Sequence, residues 1–149
     1  MCQCCPAARG PARHHEFEIR VTLADADRLG IIYYANYLRY FEAGRTELLR
    51  LIGVRYRDLE MERHIFLPVV ETRVEYLAPS RYDDLLLIRT WLSWMGPASL
   101  CFRNEIYDRE AQDKLVARGL TRHAVLNEYW KPAKLPKDLK DLFKPYLVE

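Results

Sequence analysis

Apolar and polar residues alternate from Phe17 onward, with Phe17, Ile19, Val21 and Leu23 on one side and Glu18, Arg20 and Thr22 on the other. A period of two is that of a strand with one face buried. After a loop at 24–34 the period changes. Tyr37, Tyr40, Phe41, Gly44, Leu48, Leu51 and Ile52 recur at helical spacing, which predicts an amphipathic helix from Asn36 to Ile52. Asn36 suits its N-cap and Gly53 its C-terminal stop. Residues 54–65 read as a short helix or loop.

Four strand-like runs follow. "FLPVVETRVEYLA" sets Val70, Thr72, Val74 and Tyr76 against Glu71, Arg73 and Glu75. "DLLLIRTWLSWMG" is more continuously apolar, as a central strand is. "SLCFRNEIYD" alternates again, and "LVARGLTRHAVLN" closes the set. Pro79, Asp83–Asp84, Gly96–Pro97 and "DREAQDK" supply the turns between them. "LPKDLKDLF" predicts a last short helix through Leu139, Leu142 and Phe143. Consecutive strands joined by tight turns pair antiparallel. The long helix has only that sheet on which to bury its stripe. The fold class is therefore α+β, a curved antiparallel sheet wrapped on one helix.

The chain has 149 residues, half of them apolar, and a formal charge of +2. That suits one domain with its own core and gives no basic face for nucleic acid. No apolar run reaches the roughly 18 to 20 residues of a membrane span. The start, "MCQCCPAARGPARHH", lacks the apolar middle of a secretory signal. We therefore expect a cytoplasmic protein, with a disordered leader at 1–15 and one domain at 16–149. Cys2, Cys4 and Cys5 crowd that leader beside His14 and His15, but C-x-C-C followed by H-H fits no zinc template. We expect no metal. Lipidation of those cysteines lacks a basic or amphipathic neighbour. Cys101, inside a strand, reads as a small packed residue rather than a nucleophile.

The stretch "DADRLGIIYYANYLRYFEAGRTELL" carries the chemistry. It resembles the signature of hotdog-fold acyl-CoA thioesterases of the 4-hydroxybenzoyl-CoA thioesterase type, a group that includes the small thioesterases encoded beside the Tol–Pal envelope system. Asp25, Asp27, Gly30, Ile31, Ile32, Tyr33, Asn36, Tyr37, Glu42, Arg45 and Glu47 match the family pattern. "YLAPSRYDDLLLI" matches its later Tyr, Pro and paired-Asp segment. The resemblance covers about residues 16–130. It implies a five-stranded sheet around the helix, a homodimer or homotetramer with sites at the dimer interface, and an acyl-CoA or acyl-carrier protein substrate. It implies no cofactor, since coenzyme A enters as part of the substrate. It places the catalytic carboxylate at Asp27.

Elementary chemistry agrees. A thioester carbonyl needs an attacking group or a base, and something to hold the developing oxyanion. A carboxylate serves the first need as nucleophile or as general base. The first amides of a helix serve the second, because they lack intrahelical acceptors. Asp27 precedes the helix, the amides of Tyr34 and Ala35 open it, and Gly30 eases the bend between them. Asp25 reads as a loop-orienting acid. Tyr34 stands where the Tol–Pal branch commonly has histidine, and a neutral phenol is no base near pH 7. The helix signature looks closer to the aliphatic acyl-CoA group.

Tyr33, Tyr37, Glu42 and His64 are the substrate-binding candidates, with core packing as the alternative for the tyrosines. Glu42 and Arg45 are spaced to form a helical ion pair. Arg89, Arg118, Arg122, Lys131 and Lys134 are candidates for coenzyme A phosphates. The rival function is a non-hydrolytic hotdog protein that binds acyl thioesters, which has no need of an acid beside a helix start. A dehydratase of the same fold would carry a histidine that the stretch 16–63 lacks.

Overall fold

Helix α1 (Asn36–Leu51) is the element the rest of the chain wraps. The computed structural model describes residues 13–148; Cys2, Cys4, Cys5 and nearly all of the expected leader lie outside the described residues. Strand β1 (His15–Arg20) comes first, then α1, the short helix α2 (Tyr56–Met61), and strands β2 (Val69–Tyr76), β3 (Leu85–Met95), β4 (Ser99–Asp108) and β5 (Lys114–Ala124). Helix α3 (Lys137–Phe143) closes the order. The five strands form one antiparallel sheet in the order β1-β3-β4-β5-β2. This is the α+β hotdog arrangement expected.

The order corrects the expected meander of four consecutive strands, β2 to β5. β3, β4 and β5 form a meander, but β2 pairs with β5 and sits at the sheet edge. The reason is the segment 77–84, which is no tight turn. It is held by Ile32 N–H donating to the Ser80 carbonyl (2.8 Å) and Val21 N–H donating to the Asp84 carbonyl (2.9 Å). It thereby passes from one edge of the sheet to the strand beside β1.

The periodicities place most core residues. Phe17 and Ile19 pack on the cluster of Val21, Tyr37, Tyr40, Phe41, Ile88 and Ile106, while Leu48, Leu59, Leu92, Phe102, Leu139 and Phe143 belong to a second. Leu23 breaks the pattern and is 72% exposed. The chain tightens there into a 3-10 turn, Leu23–Asp25, closed by a capping box between Thr22 and Asp25. Leu51 and Leu142 also face outward, and Leu49 takes the buried place on α1. β2 is largely exposed along its length. Gly53, at φ +90°, ends α1 as expected: its N–H bonds the Arg50 carbonyl and Val54 N–H bonds that of Leu49, a Schellman closure.

At Gly44 α1 is seated close against the sheet. A Cβ there would collide with the Thr90 hydroxyl and crowd Asn104, two buried side chains that bond each other across β3 and β4 at 2.8 Å.

Asp25 joins β1 to α1. Its carboxylate is buried and accepts from Thr22 N–H (2.9 Å), Thr22 Oγ1 (2.8 Å) and Arg39 Nη1 (2.8 Å). Its carbonyl accepts from Tyr33 N–H (2.9 Å) and Asn36 Nδ2 (2.9 Å). Asn36 is thus not the N-cap: it is the first helical residue, and its side chain reaches back to Asp25. Burial alone would raise the Asp25 pKa, but the bonds from Thr22 and the charge of Arg39 outweigh it and hold the carboxyl below the usual range.

Two outcomes follow. Gly44→Ala gains helix propensity, at most about 1 kcal/mol, yet overpacks the seat at a cost of about 1–3 kcal/mol. We expect a lower melting temperature, and a rise would contradict the close seating. Asp25→Asn should cost about 1.5–3 kcal/mol at neutral pH, the scale of charge-assisted bonds. A depressed carboxyl stabilises above its unfolded pKa of about 4 and loses that effect as pH falls through the folded value. Denaturant melts of parent and variant should therefore converge below about pH 4; a gap constant from neutral to acid pH would contradict the role.

Candidate active site

Asp27 sits at the mouth of a tight reversal. Its N–H donates to the Ile31 carbonyl (2.9 Å), and Gly30 N–H donates back to the Asp27 carbonyl (3.0 Å). Gly30 turns the chain at φ +77°, a conformation that side chains resist. Asp27 Oδ1 accepts from Leu29 N–H at 2.7 Å, an Asx turn that fixes the carboxylate's direction. Among the described residues Oδ2 has no protein partner, and the side chain is only partly covered. The two aspartates thus differ in environment: Asp25 is spent on structure, and Asp27 keeps an oxygen free.

The reversal returns at an Ala26–Ile32 bridge and delivers the chain to α1. Asn36 N–H bonds the Tyr33 carbonyl and Leu38 N–H bonds that of Ala35. The amides of Tyr34 and Ala35 donate to no acceptor among the described residues. They open a helix of 16 residues, whose N-terminus carries partial positive charge. The Tyr34 carbonyl is anchored from below, where the Tyr76 hydroxyl donates to it at 2.9 Å. Sequence reasoning assigned Tyr76 only to a strand face; its distance along the chain hid the contact.

Tyr33 and Tyr34 are exposed, with ring centroids 4.6 Å apart. Tyr37 is buried, edge-on to Tyr76 at 5.2 Å and to Tyr40 at 6.2 Å. Burial raises the Tyr37 pKa, so its phenol stays neutral. Ile31, Ile32, Tyr34, Tyr37, Tyr76 and Pro79 line an open cavity of about 320 Å³ beside the helix start. Asp27, Tyr33, Tyr34, Ala35 and Tyr37 are therefore neighbours in one stretch of chain.

Glu42 and His64 are not part of that group. Glu42 lines a second cavity of about 350 Å³ with Arg45, Tyr56, Glu60, Phe66 and Trp130. The expected Glu42–Arg45 ion pair does not form: Glu42 lies on the open side of α1, while Arg45 turns inward to Thr121. His64 stands in a loop at φ +52°, exposed and 3.6 Å from Glu128. β2 runs between the two cavities, with Val69 lining the second and Tyr76 the first.

Of the cations considered for phosphates, three are already paired: Arg89 with Glu16, Arg118 with Glu75 and Arg122 with Glu71. Lys131 and Lys134 are exposed and form no ion pair among the described residues. Arg28 and Arg81, exposed near the reversal, were not singled out from the sequence; Arg81 bridges Ile31 across the cavity's edge. Cys101 is buried in β4. Among the described residues no group of His, Cys, Asp and Glu could hold a metal ion, and no helix is long and apolar enough to cross a membrane.

Known proteins are similar to this chain in sequence and in fold. The acyl-CoA thioester hydrolase YbgC of Escherichia coli O6:H1 is 35% identical over 127 residues, covering 85% of this chain and 92% of its own. The putative acyl-CoA thioesterase YneP of Bacillus subtilis is 30% identical over 130 residues, covering 87% and 92%. A 4-hydroxybenzoyl-CoA thioesterase crystallised with 4-hydroxybenzoyl-CoA superposes with a TM-score of 0.80 over 89% of this chain and 99% of its own; at 24% identity it speaks for the fold. The family model of the thioesterase-like superfamily matches residues 21–143. The chain, with its five-stranded sheet on one long helix, belongs to the thioesterase-like superfamily.

Proposed function

We propose that the protein hydrolyses acyl-CoA thioesters, with Asp27 as the catalytic carboxylate and the Tyr34 and Ala35 amides as the oxyanion site. One observation carries this reading: a carboxylate with a free oxygen and two unbonded amides at a helix start lie within one short loop. The thioester carbonyl oxygen would sit on the amides. Asp27 would attack the carbonyl carbon, or take a proton from the water that does. The C–S bond breaks as the tetrahedral centre collapses, and the thiolate leaves as coenzyme A thiol with the proton that the attacking water gives up. With water as nucleophile the acid forms in that step; with Asp27 as nucleophile a mixed anhydride forms, and a second water hydrolyses it to the acid and restores Asp27. The Tyr34 side chain shapes the pocket while its amide acts. The relatives at 30% and 35% identity are acyl-CoA thioesterases, which supports acyl-CoA as the substrate; acyl-acyl carrier protein thioesterases of Arabidopsis thaliana are similar at 24%. A cytoplasmic location suits an acyl-CoA substrate.

Assembly belongs to the same reading. β2 is an edge strand paired on one side only, and an exposed edge invites pairing with another chain. A two-fold contact between β2 edges runs the strands antiparallel. The Val69 end of one chain then meets the Tyr76 end of its partner. Each 320 Å³ cavity would abut its partner's 350 Å³ cavity. This brings Glu42 toward the partner's Asp27, which a single chain does not do.

Asp27→Asn keeps the side-chain size and removes the charge. It should leave folding intact and lower kcat by at least about 100-fold on any active substrate, as read by thiol release; parental rates would overturn the assignment. A panel of short aliphatic, aromatic and carrier-bound thioesters should show the highest kcat/KM on an aliphatic acyl-CoA. An aromatic preference above about tenfold, roughly 1.4 kcal/mol of transition-state binding, would shift the substrate class while keeping the activity. Light scattering at micromolar concentration should give a dimer or tetramer, and a monomer mass would remove the shared cleft.

A further inference from the structure

Arg45 projects from the middle of α1 toward the sheet and is only 7% exposed. Its Nη1 donates to Thr121 Oγ1 at 3.4 Å. Thr121 Oγ1 lies 2.9 Å from His123 Nε2, and His123 Nδ1 lies 2.8 Å from the Leu67 carbonyl. A carbonyl only accepts, so Nδ1 carries the ring proton and Nε2 is the acceptor. The Thr121 hydroxyl proton goes to Nε2, which leaves its oxygen free to accept from Arg45. Burial, then the Arg45 charge, push the His123 pKa down to about 4 and keep the ring neutral. The relay is closed at every link except its origin. Arg45 Nε is buried with no partner and out of reach of the cavity, whereas Nη2 bonds nothing among the described residues and is not sealed in that way, and no carboxylate there pairs with the guanidinium.

An unused donor on a buried cation is costly unless something fills it. Arg45 lines the 350 Å³ cavity. Trp130 lines it as well, held at φ +59°. The Asn127 side chain holds that turn, accepting from Tyr129 N–H (2.9 Å) and Lys131 N–H (3.1 Å). Left-handed backbone at a bulky residue concentrates where a loop presents a side chain. The Trp130 indole is 66% exposed and stacks on Phe66, with centroids 6.1 Å apart and planes at 21°.

We propose that this cavity is a specificity subsite for an acyl chain bearing a neutral oxygen, a hydroxyl or keto group, bonded by Arg45 and covered by Phe66 and Trp130. The inference rests on the thioesterase reading and adds which acyl chains the site selects. The oxygen is neutral because Glu42 and Glu60 line the same cavity with the one guanidinium, one positive against two negative charges. A carboxylate there would face both acids. A hydroxyl accepts from Arg45 and can donate to a glutamate.

The test uses coenzyme A thioethers, which bind without turnover, on the full chain. Hexyl, 6-hydroxyhexyl, 5-oxohexyl and 5-carboxypentyl thioethers are compared by calorimetry. The hydroxyl or keto member should bind about tenfold tighter than the plain chain, a difference of about 1.4 kcal/mol. Arg45→Met should bring that ratio near one. Equal binding of plain and oxygenated chains by the parent would overturn the proposal. So would tightest binding of the carboxylate member, or a ratio that survives in Arg45→Met. If Arg45→Met fails to fold, the Arg45 guanidinium Nη–H resonance of the parent decides. It should shift with the 6-hydroxyhexyl thioether and stay still with hexyl, and no difference between the two overturns the proposal. Turnover of butyryl-CoA is measured separately. Hydrolysis without an oxygen preference defeats this inference alone, and an oxygen preference without hydrolysis defeats the thioesterase reading alone.

Discussion

Asp25 is a buried charge, and the bonds that make it tolerable are the ones that join strand β1 to helix α1. A carboxylate taken out of water must be met by donors or it neutralises. Thr22 and Arg39 meet it here, one on each side of the reversal. Its carbonyl meanwhile holds Tyr33 and Asn36. Five donors on one residue therefore fix where the helix begins relative to the strand that precedes it. The free amides of Tyr34 and Ala35, and the direction of Asp27, inherit that placement.

A second constraint acts from above. α1 is pressed onto the sheet at Gly44, over a buried Thr90–Asn104 pair that admits no Cβ. Gly119, opposite on β5, likewise has no room, since a Cβ there would meet the Arg73 carbonyl and the Phe41 ring. Apolar clusters pack toward either end of the helix. The helix is thus located by steric contact at its middle, by burial along its stripe and by Asp25 at its start. Under the proposed mechanism, an arrangement that tolerates only errors well under about an ångström benefits from being fixed in all three ways.

Much of this was legible in the chain because the periods were clean. The switch from alternation at Phe17–Val21 to helical spacing at Tyr37–Leu48 marked β1 and α1, and Gly53 marked the helix end. Leu23 was misplaced because a capping box outweighed its apolar character. β2 was misplaced in the sheet because pairing order depends on where residues 77–84 travel, and bonds from Ile32 and Val21 decide that from far away in sequence. In the site, Asp27 and the helix start were visible as a motif. The Tyr76–Tyr34 bond, the Arg39–Asp25 pair and the inward turn of Arg45 were not, since each depends on tertiary contacts that spacing alone does not encode.

The division of labour between the two aspartates has an evolutionary reading. Asp25 is exposed to selection through folding, and its loss reaches the whole molecule. Asp27 bonds only its own turn, so under the proposed mechanism its loss is felt by turnover alone. A descendant lineage can therefore silence the reaction in a single step and retain the scaffold, the cavities and the sheet edge. What survives such a step is a ready-made receptor for acyl thioesters, one substitution removed from the enzyme.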